Sequence, residues 1–401
     1  MSLIAWLDSS AEEQRRVREI VAMFTDKGTQ DELGIGQIRD ALSDSLFPGT
    51  STIQTRAKYF LFVPWLFQKA SETVSGKSVV ARVDRYERQL IEALRAAGAV
   101  DGLIGVQAGV KVKILPSTIY WSGLTRLGIL TRPIPPNQVG LAGTANPDGE
   151  ELTERVVGYW SPTLPPRPVG LPAVAESGFE LSLDEATWLR ERILTAFADT
   201  QLAHLVSRRD PPDPDSFSAY DDSSRRDTSP DNRRLILDSH LFSVAIEGAA
   251  YLYNLLVAER YEAAGLTREV GRVEYYRDML AGWADLLNED AELFRAWDRS
   301  NLWSVAFRMS PRISLSTQQF VNAWVDAITD GRAQHAATDE SLRQLIRWRE
   351  QLKKGSQSRL INEKMLANWQ GASGDNPLVY RWPVVRRIVT DIHQGLSRVG
   401  S

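Results

Sequence analysis

The chain has 401 residues, 43% hydrophobic and 24% charged, a globular composition long enough for two or three domains. Its formal net charge of -4 means that nucleic-acid binding would need a local basic face. No cysteine is present, which excludes thiol catalysis, disulfides and thiolate metal centres and suits a reducing cytoplasm.

Residues 1–16 show no cationic leader ahead of an apolar core, and no apolar run approaches the ~20 residues of a membrane span, so neither a secretory signal nor a membrane association is expected. Ser10 and Glu13 have capping-box spacing ahead of Val17, Ile20, Val21 and Phe24, which predicts a first helix. Asp31 caps a second, with Leu33, Ile38, Ala41 and Leu42 on its apolar side. The break at Phe47, Pro48 and Gly49 follows, and then Thr50 or Ser51 caps a third helix. That helix carries Tyr59, Phe60, Phe62, Trp65 and Phe67, too many aromatic rings to leave in water, with a kink at Pro64.

Residues 79–97 read as an amphipathic helix closed by Gly98. A short apolar piece at 103–106 and a Ser117/Thr118-capped helix running to Leu130 complete the order of a winged helix-turn-helix over residues 79–160. Within it, 131–160 is either the wing or a connector, and a helical hairpin in an all-α domain is the alternative. Residues 161–181 are proline-rich and read as an extended tether. Ser182 and Glu185 form another capping box, opening a helix to about residue 206. Residues 207–232 mix four arginines with aspartates, prolines and serines and read as a mobile, solvated loop. Helical spacing returns at 235–258, 268–288, 291–297, 317–328, 339–352 and 383–396. The expected fold is mostly α and multi-helical, with an N-terminal domain over 1–160 and a C-terminal one over 182–401.

Three clusters are candidates for binding. In the first, Thr50, Ser51, Thr52, Gln54, Thr55, Arg56 and Lys58 bring hydroxyls, an amide and cations to a helix N-terminus. Free backbone N–H groups there favour an anion, and Arg56 is suited to grip a phosphate with both arms of its guanidinium. The plain alternative is a capped helix in which Arg56 pairs internally with Asp40 or Asp44. The second cluster is Lys111, Lys113, Ser117, Thr118, Tyr120 and Arg126, a basic and aromatic set placed for groove binding by a recognition helix. The third is Arg359, Asn362, Trp369, Tyr380, Arg381 and Trp382, suited to stacking on bases or on a partner's peptide. Its alternative is a helix connection whose tryptophans plug the core.

Gly34 and Gly36 lack the strand and third glycine of a dinucleotide fingerprint, and no phosphate-binding loop motif occurs, so P-loop hydrolysis is excluded. His204, His240, His335 and His393 stand far apart; His240 with Glu247 is the only pairing that suggests a metal. No catalytic set and no cofactor is expected.

The runs 2–8, 46–65, 115–121 and 380–382, above all Leu46-Phe-Pro-Gly-Thr-Ser-Thr-Ile-Gln-Thr-Arg56, resemble an uncharacterised bacterial family of about this length, nearly end to end. The resemblance implies no activity; its members resemble components of mobile or phage-defence gene neighbourhoods. The leading expectation is thus a non-enzymatic protein that binds nucleic acid or a nucleic-acid-processing partner. A protein-binding scaffold or regulatory subunit is the alternative, and a metal-dependent nuclease or hydrolase with dispersed acidic ligands the third.

Overall fold

A computed structural model describes residues 31–73, 78–139 and 158–398. The helix predicted after Ser10 and most of the expected wing lie outside the described residues. Among those described there are fourteen α-helices and no strands, so the chain is mostly α. It divides into two compact units, one of residues 1–42 and 237–378, the other of 43–236 and 379–401. This differs from a split at the proline-rich stretch, because residues 379–401 return to the unit that 43–236 began.

α1 (Gly36–Leu46), whose residues 36–42 belong to the first unit, starts where the Asp31 carboxylate accepts the Ile35 and Gly36 N–H groups at 2.7 and 2.9 Å. The unit also contains residues 237–263 of α7 (Pro230–Ala263), with α8 (Arg272–Glu289), α9 (Ala291–Ala296), α10 (Ser300–Met309), α11 (Leu315–Thr329), α12 (Glu340–Lys354) and α13 (Glu363–Ala367). Two tryptophans tie α8 and α11 to α7. Trp283 donates to the Val244 carbonyl and Trp324 to that of Ala245, both at 2.7 Å, and their rings stack at 6.1 Å. Indoles can be buried here because each N–H reaches a backbone acceptor. By length and composition α7 could cross a membrane, against the sequence expectation, but 89% of its most apolar stretch is buried inside the protein, as in a core helix.

The second unit holds α2 (Tyr59–Thr73), α3 (Ser78–Ala96), α4 (Pro116–Arg126), α5 (Leu183–Ala196), α6 (Gln201–Ser207) and α14 (Trp382–Leu396). The aromatic run forms its core: Tyr59, Phe60 and Phe62 pack with Tyr120 and Phe179 at centroid distances of 4.9 to 6.3 Å. The Ser182 capping box forms as the sequence predicts, but the helix it opens breaks at Phe197, and Thr200 caps α6. The expected tether is a packed segment. Leu171, Phe179 and Leu181 are buried, and Trp65 and Trp188 donate to the Pro165 carbonyl and the Thr163 hydroxyl.

Residues 207–232, expected to be a solvated loop, are pinned by buried polar groups. The Asp222 carboxylate accepts the N–H groups of Asp213 and Ser224, and the Gln201 side chain bonds Ser224 and Thr228. Proline and aspartate content suggested solvation, and most of the aspartates are exposed, but the buried Asp222 carboxylate caps turns and holds the segment in place. A single antiparallel bridge joins Leu130 and Trp160 after α4.

Candidate functional site

The 49–58 corner holds an anion, and that anion is Asp391 of α14. Arg56 Nε donates to Asp391 Oδ2 at 3.0 Å and Nη2 to Oδ1 at 2.8 Å, while the Ala57 N–H donates to Oδ2 at 2.9 Å. Arg56 Nη1 donates to the Asp101 carbonyl at 3.0 Å, and its guanidinium lies 5.0 Å from the Phe179 ring centroid. The N–H groups of Thr55 and Arg56 donate to Tyr120 Oη at 2.8 and 3.0 Å, and that hydroxyl donates back to the Arg56 carbonyl. Every backbone donor from Thr55 to Ala57 therefore has a partner inside the unit. This also explains why α2 begins at Tyr59 rather than near Ser51: a side chain from elsewhere takes each donor before the helix starts. Burial raises the Asp391 carboxyl above its ordinary range, and the Arg56 guanidinium and Ala57 amide pull it back.

Thr50, Gln54 and Lys58 are bonded internally as well, while the Ser51 and Thr55 hydroxyls are buried without a hydrogen-bond partner. Thr50 Oγ1 donates to the Phe47 carbonyl at 2.6 Å, and the Gln54 amide closes the turn by bonding the Gly49 carbonyl and the Ser51 N–H. Lys58 is buried on Glu185 at 2.5 Å and the Glu180 carbonyl; burial lowers its pKa and Glu185 opposes the shift. Thr52 is exposed. Asp44, anticipated for Arg56, instead holds Arg381 at 2.6 Å and Arg126 at 3.2 Å.

The helix expected to enter a groove, α4, turns its first residues inward. Ser117 is buried, and its N–H and hydroxyl both donate to Glu87, at 2.6 and 2.9 Å. Burial pushes the Glu87 carboxyl up to about 8 although both Ser117 bonds lower it. The N-terminus of α4 is thus already capped by a carboxyl group from α3. Gly123 allows the corner to approach: a Cβ there would lie 2.6 Å from the Gly49 carbonyl oxygen and 2.9 Å from the Phe60 ring. Thr118, Lys111 and Lys113 are exposed.

The third cluster is divided between the units. In the first, Arg359 pairs with Glu32 and Tyr253, Asn362 caps α13, and Trp369 is buried against Tyr261. In the second, Arg381 bonds Asp44 and the Thr50 carbonyl, and Trp382 is buried with its N–H on Ser216. Tyr380 is buried as well. His240 lies 3.0 Å from Asp290 rather than Glu247, whose carboxylate accepts the Tyr251 hydroxyl at 2.5 Å. Among the described residues no three histidine or acidic side chains gather as a metal would require. A cleft of the first unit lined by Asp31, Arg39, Tyr253 and Asn376 encloses about 40 Å³, room for a water molecule or two.

An exposed feature the sequence reading missed is the outer face of α12. Its inner face buries Leu342, Ile346, Arg349 and Glu350, with Arg349 donating to the Leu33 and Gly34 carbonyls and to Thr317. That arrangement leaves Trp348 and Leu352 outward, 44% and 51% exposed, with Leu345 half-buried at the border of the inner face. Among the described tryptophans Trp348 alone is exposed. The signal was present as i, i+3, i+7 spacing, but two apolar stripes on one short helix cannot be ranked by periodicity alone.

Fold and side-chain geometry define a multi-helical protein of two units whose predicted cation sites are largely closed by its own carboxylates. The chain belongs to the family of unknown function DUF6361, whose model matches residues 1–395. No curated protein and no solved structure matches it.

Proposed function

We propose that this protein is a non-catalytic, protein-binding scaffold or regulatory subunit that engages its partner through the outer face of α12. The observation that carries the reading is the Leu345, Trp348 and Leu352 stripe. A half-exposed indole flanked at helical spacing by leucines is the side-chain set that dominates binding energy when a helix lies in a partner's groove. Leaving such a stripe in water is unfavourable, and covering it recovers roughly 25 cal/mol per Å² of apolar surface.

The test is co-purification from the native host followed by native mass spectrometry. Wild-type chain should carry a partner at fixed stoichiometry. Trp348→Ala combined with Leu352→Ser should lose it while melting as the wild type does. Equal retention by the variant, or a wild-type chain with no stoichiometric partner, contradicts the reading.

A nucleic-acid association is the second reading. It is supported by the exposure of Lys111 and Lys113 just ahead of α4 and by the Leu130–Trp160 bridge at the base of the expected wing. Phosphate contacts would make such binding fall steeply with salt. The setting in a bacterial defence system rests on the family resemblance alone.

A further inference from the structure

The turn at 105–113 in the second unit is built as a rigid platform with apolar side chains outward. Leu103 and Ile104 enter the core, where the Ile104 N–H donates to Tyr59 Oη at 3.1 Å. Gly105 and Gly109 then take φ of +86° and +57°, conformations that strain other residues, and the Gly109 N–H bonds the Gly105 carbonyl at 2.7 Å. Two arginines of α3 clamp the turn from beneath. Arg95 donates to the carbonyls of Gly105 and Val106, and Arg88, itself held by Asp84, to those of Val110 and Val112. With the backbone fixed this way, Val106 is 47% and Val110 40% exposed, and Lys111 and Lys113 stand exposed beside them.

The charge around this turn is unbalanced. Asp84 compensates Arg88, Arg95 places Nη2 alone on carbonyls and is exposed, and neither Lys111 nor Lys113 meets a carboxylate among the described residues. Glu87, buried on α3 against Ser117, has been pushed up to about 8 and adds little negative charge at neutral pH. The result is a fixed pair of valines beside three cations, Arg95, Lys111 and Lys113, that form no ion pair among the described residues, with Glu92 the exposed carboxylate on the same stripe of α3.

The geometry points to a docking surface for an acidic amphipathic protein segment, apolar side chains on the valines and carboxylates on Lys111, Lys113 and Arg95. Charge complementarity selects the sign of the partner, and the clamped backbone lowers the ordering cost of a stereospecific contact. A lipid surface is served by exposed tryptophan, phenylalanine and leucine rather than by two valines. Duplex reading by α4 is disfavoured because Ser117 at its start is buried on Glu87, leaving Thr118 as the exposed residue of its first turn. This surface belongs to the second unit and does not rest on α12.

The test uses the full chain and a fluorescent peptide with glutamate and leucine at helical spacing, read by anisotropy. Parallel titrations use the same peptide with lysine for glutamate, duplex DNA, and vesicles containing phosphatidylglycerol. The acidic peptide should bind the wild type and Trp348→Ala alike. Lys111→Gln with Lys113→Gln, and separately Val106→Ser with Val110→Ser, should each weaken it about tenfold or more with unchanged melting. No binding of the acidic peptide, equal binding by both double variants, or equal or tighter binding of DNA or vesicles overturns the proposal. The Trp348→Ala control separates its failure from failure of the α12 reading.

Discussion

Two stretches of the second unit, the 49–58 corner and the 105–113 turn, each carry two cations and end differently in space. Arg56 and Lys58 of the corner are closed by Asp391 and Glu185, which lie 335 and 127 residues further along the chain. Lys111 and Lys113 of the turn meet no such carboxylate among the described residues. Whether a cation serves the fold or a partner is therefore decided by what returns to it from a distance. A buried cation left unpaired would be prohibitively costly, so the corner had to find its anion within the chain once the aromatic core drew it inward.

That contrast makes unequal demands on stability. The largest effect is expected from Asp391→Ala, which strands the Arg56 guanidinium and the Ala57 amide. Denaturant unfolding should show a loss of about 3–5 kcal/mol. A loss below about 1 kcal/mol would place Arg56 among the surface cations after all. Gly123→Ala comes next, since its Cβ would meet the Gly49 carbonyl oxygen, a backbone atom that cannot swing aside. A cost of about 1–3 kcal/mol is expected from overpacking, and an unchanged melting point would show that α4 and the corner do not pack this closely.

Glu87 contributes a pH signature. Its folded pKa of about 8 lies above the ordinary 4.5, so its contribution to stability is fully present below about 4.5 and is lost as pH rises through about 8. The wild type should lose stability over that window with a slope of up to about 1.4 kcal/mol per pH unit, and Glu87→Gln should flatten it. Identical pH profiles would show that Glu87 is not buried as described. The smallest effect belongs to the turn. Lys111→Ala and Lys113→Ala should each change unfolding free energy by no more than about 0.5 kcal/mol, and a larger loss would mean that these lysines, like Arg56, serve the fold.

Local signals were legible where the physics is local. The Ser182–Glu185 capping box and the helix ending before Gly98 form close to where the residues put them, whereas Asp31 holds the N–H groups of Ile35 and Gly36 and the helix starts only at Gly36, leaving Leu33 outside it. The corner was half legible. Its hydroxyls, amide and guanidinium were recognisable as anion-binding chemistry, and that chemistry is present. The identity of the anion was not legible, because no spacing rule links residue 56 to residue 391. The same holds for Arg381, whose partners Asp44 and the Thr50 carbonyl lie over 300 residues before it. Residues 207–232 misled for another reason. Aspartate and serine are common in solvated loops and equally common as turn caps, and only the buried Gln201 side chain decides between the two.

The most direct measurement is chemical rescue of Asp391→Ala. Deleting that carboxylate leaves an internal site of the shape a small anion fills, with Arg56 and the Ala57 amide as donors. Thermal melting of the variant should rise with added formate or acetate, recovering part of the lost stability, while the wild type stays unresponsive to either salt and to inorganic phosphate. A wild-type protein stabilised by phosphate, together with a variant indifferent to formate, would mean that the corner is open to external anions and that Asp391 is not its ligand.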